Sequence, residues 1–106
     1  MKKRDYILIS TTTNDKQTAQ KITSVLLEHH LVACVQSHNI TSQYYWDNAL
    51  VNDEEIVLNM KCRLDDIEKI QKAIEDLHNY EVPQIIVTPI LTANQKYLEW
   101  LEKQLR

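Results

Sequence analysis

LVACVQSHNITSQYYWDNALVNDEEIVLNMKC, residues 31–62, is two runs rich in β-branched and aromatic side chains, parted by the polar pair Asp47-Asn48. A polar pair between two such runs marks a tight hairpin turn. Each run holds about 13 residues and would extend about 43 Å, whereas an ordinary strand has about 5 or 6 residues. A compact domain of this length has a radius of gyration of about 13 Å, so the hairpin is expected to overhang its own globule. An overhang leaves backbone groups unpaired and apolar side chains in water unless another chain covers them. Assembly is therefore expected, with the hairpin tip at Tyr44, Tyr45 and Trp46 pairing with neighbouring subunits.

Before the hairpin, Tyr6 to Thr12 reads as a buried strand. Asn14 or Asp15 is placed to cap a helix whose Ala19, Ile22, Val25, Leu26 and His29 share one face. After the hairpin, Asp65 or Asp66 is placed to cap a second helix. Ile67, Ile70, Ile74 and Leu77 form its apolar stripe, and Glu68, Lys69, Gln71 and Lys72 face water. Gln84 to Leu91 reads as a fourth strand in which Pro89, lacking an N–H, must sit at an edge, an end or a bulge. Asn94 is placed to cap a last helix with Tyr97, Leu98, Leu101 and Leu105 on its apolar face. The order β-α-β-β-α-β plus a C-terminal helix predicts an α+β, ferredoxin-like sandwich, two helices on one face of an antiparallel sheet.

The chain's 106 residues make one core and one domain, residues 1–106, with no sign of a linker. A net charge of −3 argues against nucleic acid or an anionic membrane as partner, since both need a concentrated basic surface. The apolar run at Tyr6 to Ile9 is too short for a signal-peptide core, and no segment reaches the length of a membrane helix, so the cytoplasm is the expected compartment. Cys34 and Cys62 belong to no Cys-x-x-Cys motif and read as buried free thiols. Glycine is absent, which excludes Gly-rich phosphate loops. Turns that need positive φ should then fall to Asn39, Asn48 and Asn79.

The densest polar cluster is His78-Asn-Tyr-Glu-Val-Pro-Gln84, in the link between a helix and a strand. There His78 and Glu81 could reach one metal ion or polar ligand, with Tyr80 adding a hydroxyl. The structural alternative is that His78 caps backbone carbonyls while Glu81 makes a surface ion pair. Glu55 and Lys61, six apart on one strand, share a face. Glu55 belongs to an acidic run that reads as solvated. Lys61 interrupts an apolar run and needs a carboxylate partner if buried, with Glu81 or Glu55 available. His29-His30 reads as exposed, because adjacent helical residues diverge. No serine has a nucleophile-elbow context and neither cysteine has a base beside it in sequence, so no catalytic constellation is visible.

At Leu31-Val-Ala-Cys-Val35, Ser42-x-Tyr44-x-Trp46, Glu55, Lys61, His78-x-Tyr80-Glu81-Val82-Pro83 and Asn94-x-x-Tyr97-Leu98-x-Trp100 the chain resembles the CutA family of divalent-cation tolerance proteins. The resemblance runs from the first strand to the last helix. It implies a ferredoxin-like fold, a homotrimer built by the long hairpins, and a role in tolerance of copper and other divalent metals. The clustering of these motifs points to clefts between subunits near Trp46, Lys61, His78, Tyr80 and Glu81, with Glu55 beside them, as the expected place for a metal ion or small ligand. The chain also resembles the PII signalling proteins, which share that fold and assembly and bind small effectors in intersubunit clefts. The alternative to a metal role is thus an effector sensor. Family members credited with binding copper have a Cys late in the first strand and a His-His pair before the Pro-Tyr. The matching positions here are Thr11 and Leu77-His78, so a soft copper site needs Cys34 or another arrangement. An acylphosphatase-type enzyme shares the topology but needs an Arg-bearing phosphate loop, and Thr12-Thr-Asn-Asp15 offers neither Arg nor Gly. An RNA-binding domain of the same topology needs exposed aromatic and basic residues on its central strands, which the acidic, apolar pattern does not supply.

Overall fold

In a computed structural model, which describes residues 5–106, four strands and three helices follow the expected order. They are β1 (Tyr6–Thr13), α1 (Lys16–Glu28), β2 (Val32–Trp46), β3 (Ala49–Arg63), α2 (Ile67–Leu77), β4 (Ile86–Pro89) and α3 (Gln95–Gln104). The sheet runs β2-β3-β1-β4 with every neighbouring pair antiparallel, the ferredoxin-like arrangement. Alternation along the strands sorts the side chains into two layers. Ile7 and Ile9 of β1 and Leu58, Met60 and Cys62 of β3 meet Ile22 and Leu26 of α1 and Ile70 and Ile74 of α2 in the main core. A smaller cluster of Ala33, Leu101 and Leu105, with Tyr6 and Tyr97 against it, seats α3.

The hairpin is longer than the sequence suggests, with 15 residues in each strand. The described chain measures 46 × 25 × 22 Å with a radius of gyration of 14.6 Å, above the compact value, as an overhang requires. β1 pairs with β3 only from Ile56 to Arg63, while β2 pairs with β3 along nearly its whole length to Trp46↔Ala49. The half of β3 before Ile56 therefore has a partner on one edge only. Tyr45 at 75 % and Leu50 at 64 % exposure mark that half as uncovered within one chain.

Without glycine, the backbone places positive φ on His30, Asp47 and Asn48. Asn48 meets expectation. Asn39 does not, because it lies inside β2 opposite Ile56, and neither does Asn79. Asp47 and Asn48 both have positive φ, as a two-residue type I′ hairpin turn demands. His30 ends α1 in the left-handed region. Leu31 N–H bonds the Leu26 carbonyl and His30 N–H that of Leu27, the pattern of a Schellman stop usually given to glycine. The His30 ring is then used a second time, its Nδ1 lying 3.1 Å from the carbonyl of Gln104 at the end of α3.

The caps differ from expectation in part. Asp15 caps α1, its carboxylate accepting from Thr18 N–H at 3.2 Å and Thr18 Oγ1 at 2.6 Å. The Thr18 hydroxyl, ahead of the backbone N–H groups, holds that carboxyl below the usual range. Asp66 stands at the N-cap position of α2 but makes no side-chain capping bond, a 3₁₀ turn, Leu64–Asp66, leading into the helix. Asn94 occupies the cap position of α3 without a side-chain bond. The α2 stripe is as read, with Ile70 and Ile74 fully buried and Ile67 and Leu77 packed beside them. His29 is exposed rather than part of the α1 face, its ring turned back to the Val25 carbonyl. The fourth strand is shorter than expected, Ile86–Pro89, and Pro89 ends it on the sheet edge, where a missing N–H costs no ladder bond.

The Asp47-Asn48 turn gives a test. Replacing Asn48 with Gly should raise the urea midpoint. Asn48→Ala should lower stability by about 1 kcal/mol at fixed protein concentration, because a Cβ penalises the left-handed region and Ala lacks the Asn side chain's local hydrogen bonds.

Candidate functional site

The α2–β4 link folds back over the end of β1 and faces the underside of the hairpin. His78 follows the last residue of α2 and its N–H still bonds the Ile74 carbonyl. Its ring reaches β1: Nε2–H donates to the Thr12 carbonyl at 2.9 Å, and Nδ1 accepts Tyr80 N–H at 3.0 Å. Both ring nitrogens are thereby used and the tautomer is fixed. Asn79 completes the seam, accepting from Thr13 Oγ1 at 2.6 Å and donating to Asn14 Oδ1 at 2.9 Å. The link is thus pinned to the β1–α1 turn by side chains from both sides.

That pinning aims Tyr80 at β3. Its ring lies 4.8 Å from the His78 ring, and its hydroxyl donates to Glu55 Oε2 at 2.6 Å. Glu55 is only 7 % exposed, so the acidic run is not wholly solvated. Asp53 accepts from the Tyr44 hydroxyl at 2.7 Å and Glu54 from Thr41 at 3.0 Å on the exposed hairpin. Glu55, Tyr80, Glu81, Trp46 and Tyr44 line a cleft of about 630 Å³. Burial, followed by the hydrogen bond to Glu55, pushes the Tyr80 hydroxyl well above its ordinary range, so it remains a donor. Burial moves the His78 imidazole down, partly opposed by the Thr12 carbonyl and the Glu55 charge.

The sequence-derived site residues are therefore only partly brought together. Trp46, Glu55, Tyr80 and Glu81 share the cleft, with His78 behind it. Lys61 and Cys34, which pair in register near the opposite end of β3, lie six strand positions from Glu55, about 20 Å at the rise of a strand. Lys61 has no carboxylate partner: its ammonium donates to the Tyr97 hydroxyl at 3.0 Å and lies 5.1 Å from the centre of that ring. Glu81 forms no ion pair among the described residues. Cys34 is half-buried rather than buried. Cys62 is enclosed in the core, where burial, with Asp66 adding to it, pushes its thiol up to about 12, so it stays protonated. The reading missed Thr12 and Ser42, which also line the cleft. Ser42 opens the Ser42-x-Tyr44-x-Trp46 motif, which signalled the family rather than the cleft, and Thr12 had only its place at a strand end.

These donors do not make a metal centre within one chain. Among the described residues no three His, Cys, Asp or Glu side chains converge on a point that could hold an ion. Releasing His78 would break two hydrogen bonds, and Cys34 sits at the far end of the hairpin. What the arrangement offers chemically is a carboxylate at the back of an aromatic-walled groove.

A ferredoxin-like sheet with an overlong hairpin and a cleft beneath it defines a recognisable class of small α+β proteins. The sequence model of the CutA1 divalent ion tolerance protein family matches residues 7–104. The divalent-cation tolerance protein CutA of Pyrococcus horikoshii is 34 % identical over 95 residues, covering 90 % of this chain and 93 % of that protein. The crystal structure of CutA1 from Shewanella sp. SIB1 superimposes with a TM-score of 0.91 at 35 % identity, covering 98 % of both chains. The chloroplastic protein CutA of Arabidopsis thaliana is 31 % identical over 94 % of this chain and 56 % of its own length. The chain belongs to the CutA1 divalent ion tolerance protein family. Among its described residues no helix is long and apolar enough to cross a membrane.

His78 supplies a pH test. Its folded value is depressed, so the unfolded chain binds the proton more readily. The stability it contributes is complete above the unfolded value of about 6.5 and is lost as pH falls through the lower folded value. The urea midpoint should fall between about pH 7.5 and about pH 5. His78→Gln should flatten that fall, and an unchanged slope in the variant would remove His78 as its source.

Proposed function

We propose that this chain, as one domain, acts as a cytoplasmic, non-enzymatic homotrimer in tolerance of copper and other divalent metal ions, working through clefts that neighbouring subunits close. The observation that carries the reading is Glu55, buried beneath Tyr80 at the back of a cleft whose outer wall is the uncovered half of the hairpin. Trp46 and Tyr44 stand on that wall, half-exposed and suited to cover by a second chain. A cleft of about 630 Å³ lies in the range of small-ligand sites. Tolerance of divalent ions comes from the family to which the chain belongs.

Metal held in such clefts draws on Glu81 and His78 of one subunit, with Cys34 reaching the cleft only from another. A second reading, a PII-like effector sensor with no metal function of its own, is favoured by the two hydrogen bonds that already occupy the His78 ring.

Native mass spectrometry of metal-free protein, followed by titration with copper(I), copper(II) and zinc, tests both. The expected species is a trimer. Uptake of about one ion per subunit, lost on Glu81→Gln and His78→Ala, supports metal in the clefts, whereas a trimer that stays empty supports the effector reading. A monomer overturns both.

A further inference from the structure

We propose that the cleft behind Trp46 takes a small organic cation, a protonated primary amine or a guanidinium, bound by the Glu55 carboxylate against the Trp46 and Tyr80 rings. The inference rests on the ligand-cleft reading above and supplies the chemistry of its occupant.

Glu55 is 93 % removed from solvent, and among the described residues it receives a single hydrogen bond, from Tyr80 to Oε2, with none to Oε1 and no Lys, Arg or His paired with it. A buried carboxylate without a counter-cation is costly, and proteins normally supply one. This chain does so elsewhere. The half-buried Arg63 guanidinium makes a bidentate contact with Glu102 at 2.9 and 3.0 Å and also reaches the Arg106 carbonyl. Lys61 and Arg63, the two cations on the same face of β3, are committed to Tyr97 and Glu102. Glu55 therefore presents an oxygen to the cleft that nothing among the described residues meets. Glu81 lines the same cleft without an ion pair among the described residues and deepens its negative potential.

The walls decide which cation fits. A bare divalent ion takes six or more oxygen ligands, or keeps its waters, and gains nothing from Val51 and Val82, which also line the cleft. An alkylammonium or guanidinium needs one carboxylate for its N–H groups, an aromatic face for its charge and apolar surface for its carbon chain. Glu55, Trp46, Tyr80 and the two valines provide those three things together. Anionic ligands meet two carboxylates and no free cation in the cleft.

The test uses Trp46 as reporter in the full chain carrying Trp100→Phe, since Trp100 lies on α3 outside the cleft. n-Butylammonium and n-butylguanidinium chloride are titrated against fluorescence, with n-butanol and magnesium chloride as controls. Saturable quenching by at least one organic cation is expected, with none by n-butanol. Glu55→Gln, whose amide oxygen still accepts from Tyr80, should weaken binding by about tenfold or more. Glu81→Gln, on an exposed loop where folding is not at stake, should weaken it by a smaller factor. The proposal is overturned by absence of saturation with both cations, by equal binding of n-butanol, or by a Glu55→Gln protein that binds as before. Native masses of the same samples separate the failures. A trimer that ignores the amines overturns this inference alone, while a monomer overturns the assembly reading and the closed cleft it supplies.

Discussion

The structure depends on how β3 is hydrogen-bonded along its length. From Ile56 to Arg63 it is paired on both edges, by β1 and by β2, and its even-numbered side chains fill the core under α1 and α2. From Ala49 to Glu55 it is paired by β2 alone. A strand held on both edges and covered on one face is rigid, while a two-stranded extension is marginal in water without further contacts. Glu55 stands at that boundary, the last residue before β1 takes up the second edge. It is the point where the doubly paired half of the strand hands a fixed side chain to the half paired on one edge only.

The absence of glycine shows how the same geometry is reached by other means. Left-handed backbone costs a residue with a Cβ about 1 kcal/mol or more, and polar residues that bond locally lose least. Asp47 and Asn48 take that conformation at the hairpin tip, where strand pairing over-determines the turn. His30 takes it at the end of α1 and recovers part of the cost by docking its ring and its carbonyl on the C-terminal segment, Arg106 N–H bonding the His30 carbonyl at 3.1 Å. The stop of α1 and the seat of α3 are therefore one feature.

Charge is managed unevenly across the molecule. Near the base of the hairpin, Arg63 and Lys61 are both met by α3, through Glu102 and Tyr97. Towards the other end, Glu55 and Asp53 accept from tyrosine hydroxyls, and among the described residues none of Glu55, Asp53 and Glu81 has an ion pair. One end is thus closed by the chain itself, and the other is left polar, aromatic and open. Membership of a divalent ion tolerance family fits a molecule whose open end is the negative one.

The sequence by itself determined the element order, the α2 stripe, a cap for α1 at Asn14 or Asp15, the tight Asp47-Asn48 turn and the excess length of the hairpin. Each of these is local: a period, a cap or a strand length fixed by side chains close in the chain. Its motifs also determined the family. The partners were decided by tertiary structure. Lys61 was expected to need a carboxylate if buried; it is half-buried and meets Tyr97, because the strand carries it past the helix that follows β4. Glu55 was read as solvated and is buried, because a hydrogen-bonded link twenty-five residues further on places Tyr80 over it. Cys34 and His78 were grouped by chemistry, but the ring of His78 is fixed to Thr12, opposite Val57, while Cys34 pairs with Lys61 further along β3. Sequence spacing measures distance along a strand well, but only the packing of separate segments decides which side chains meet.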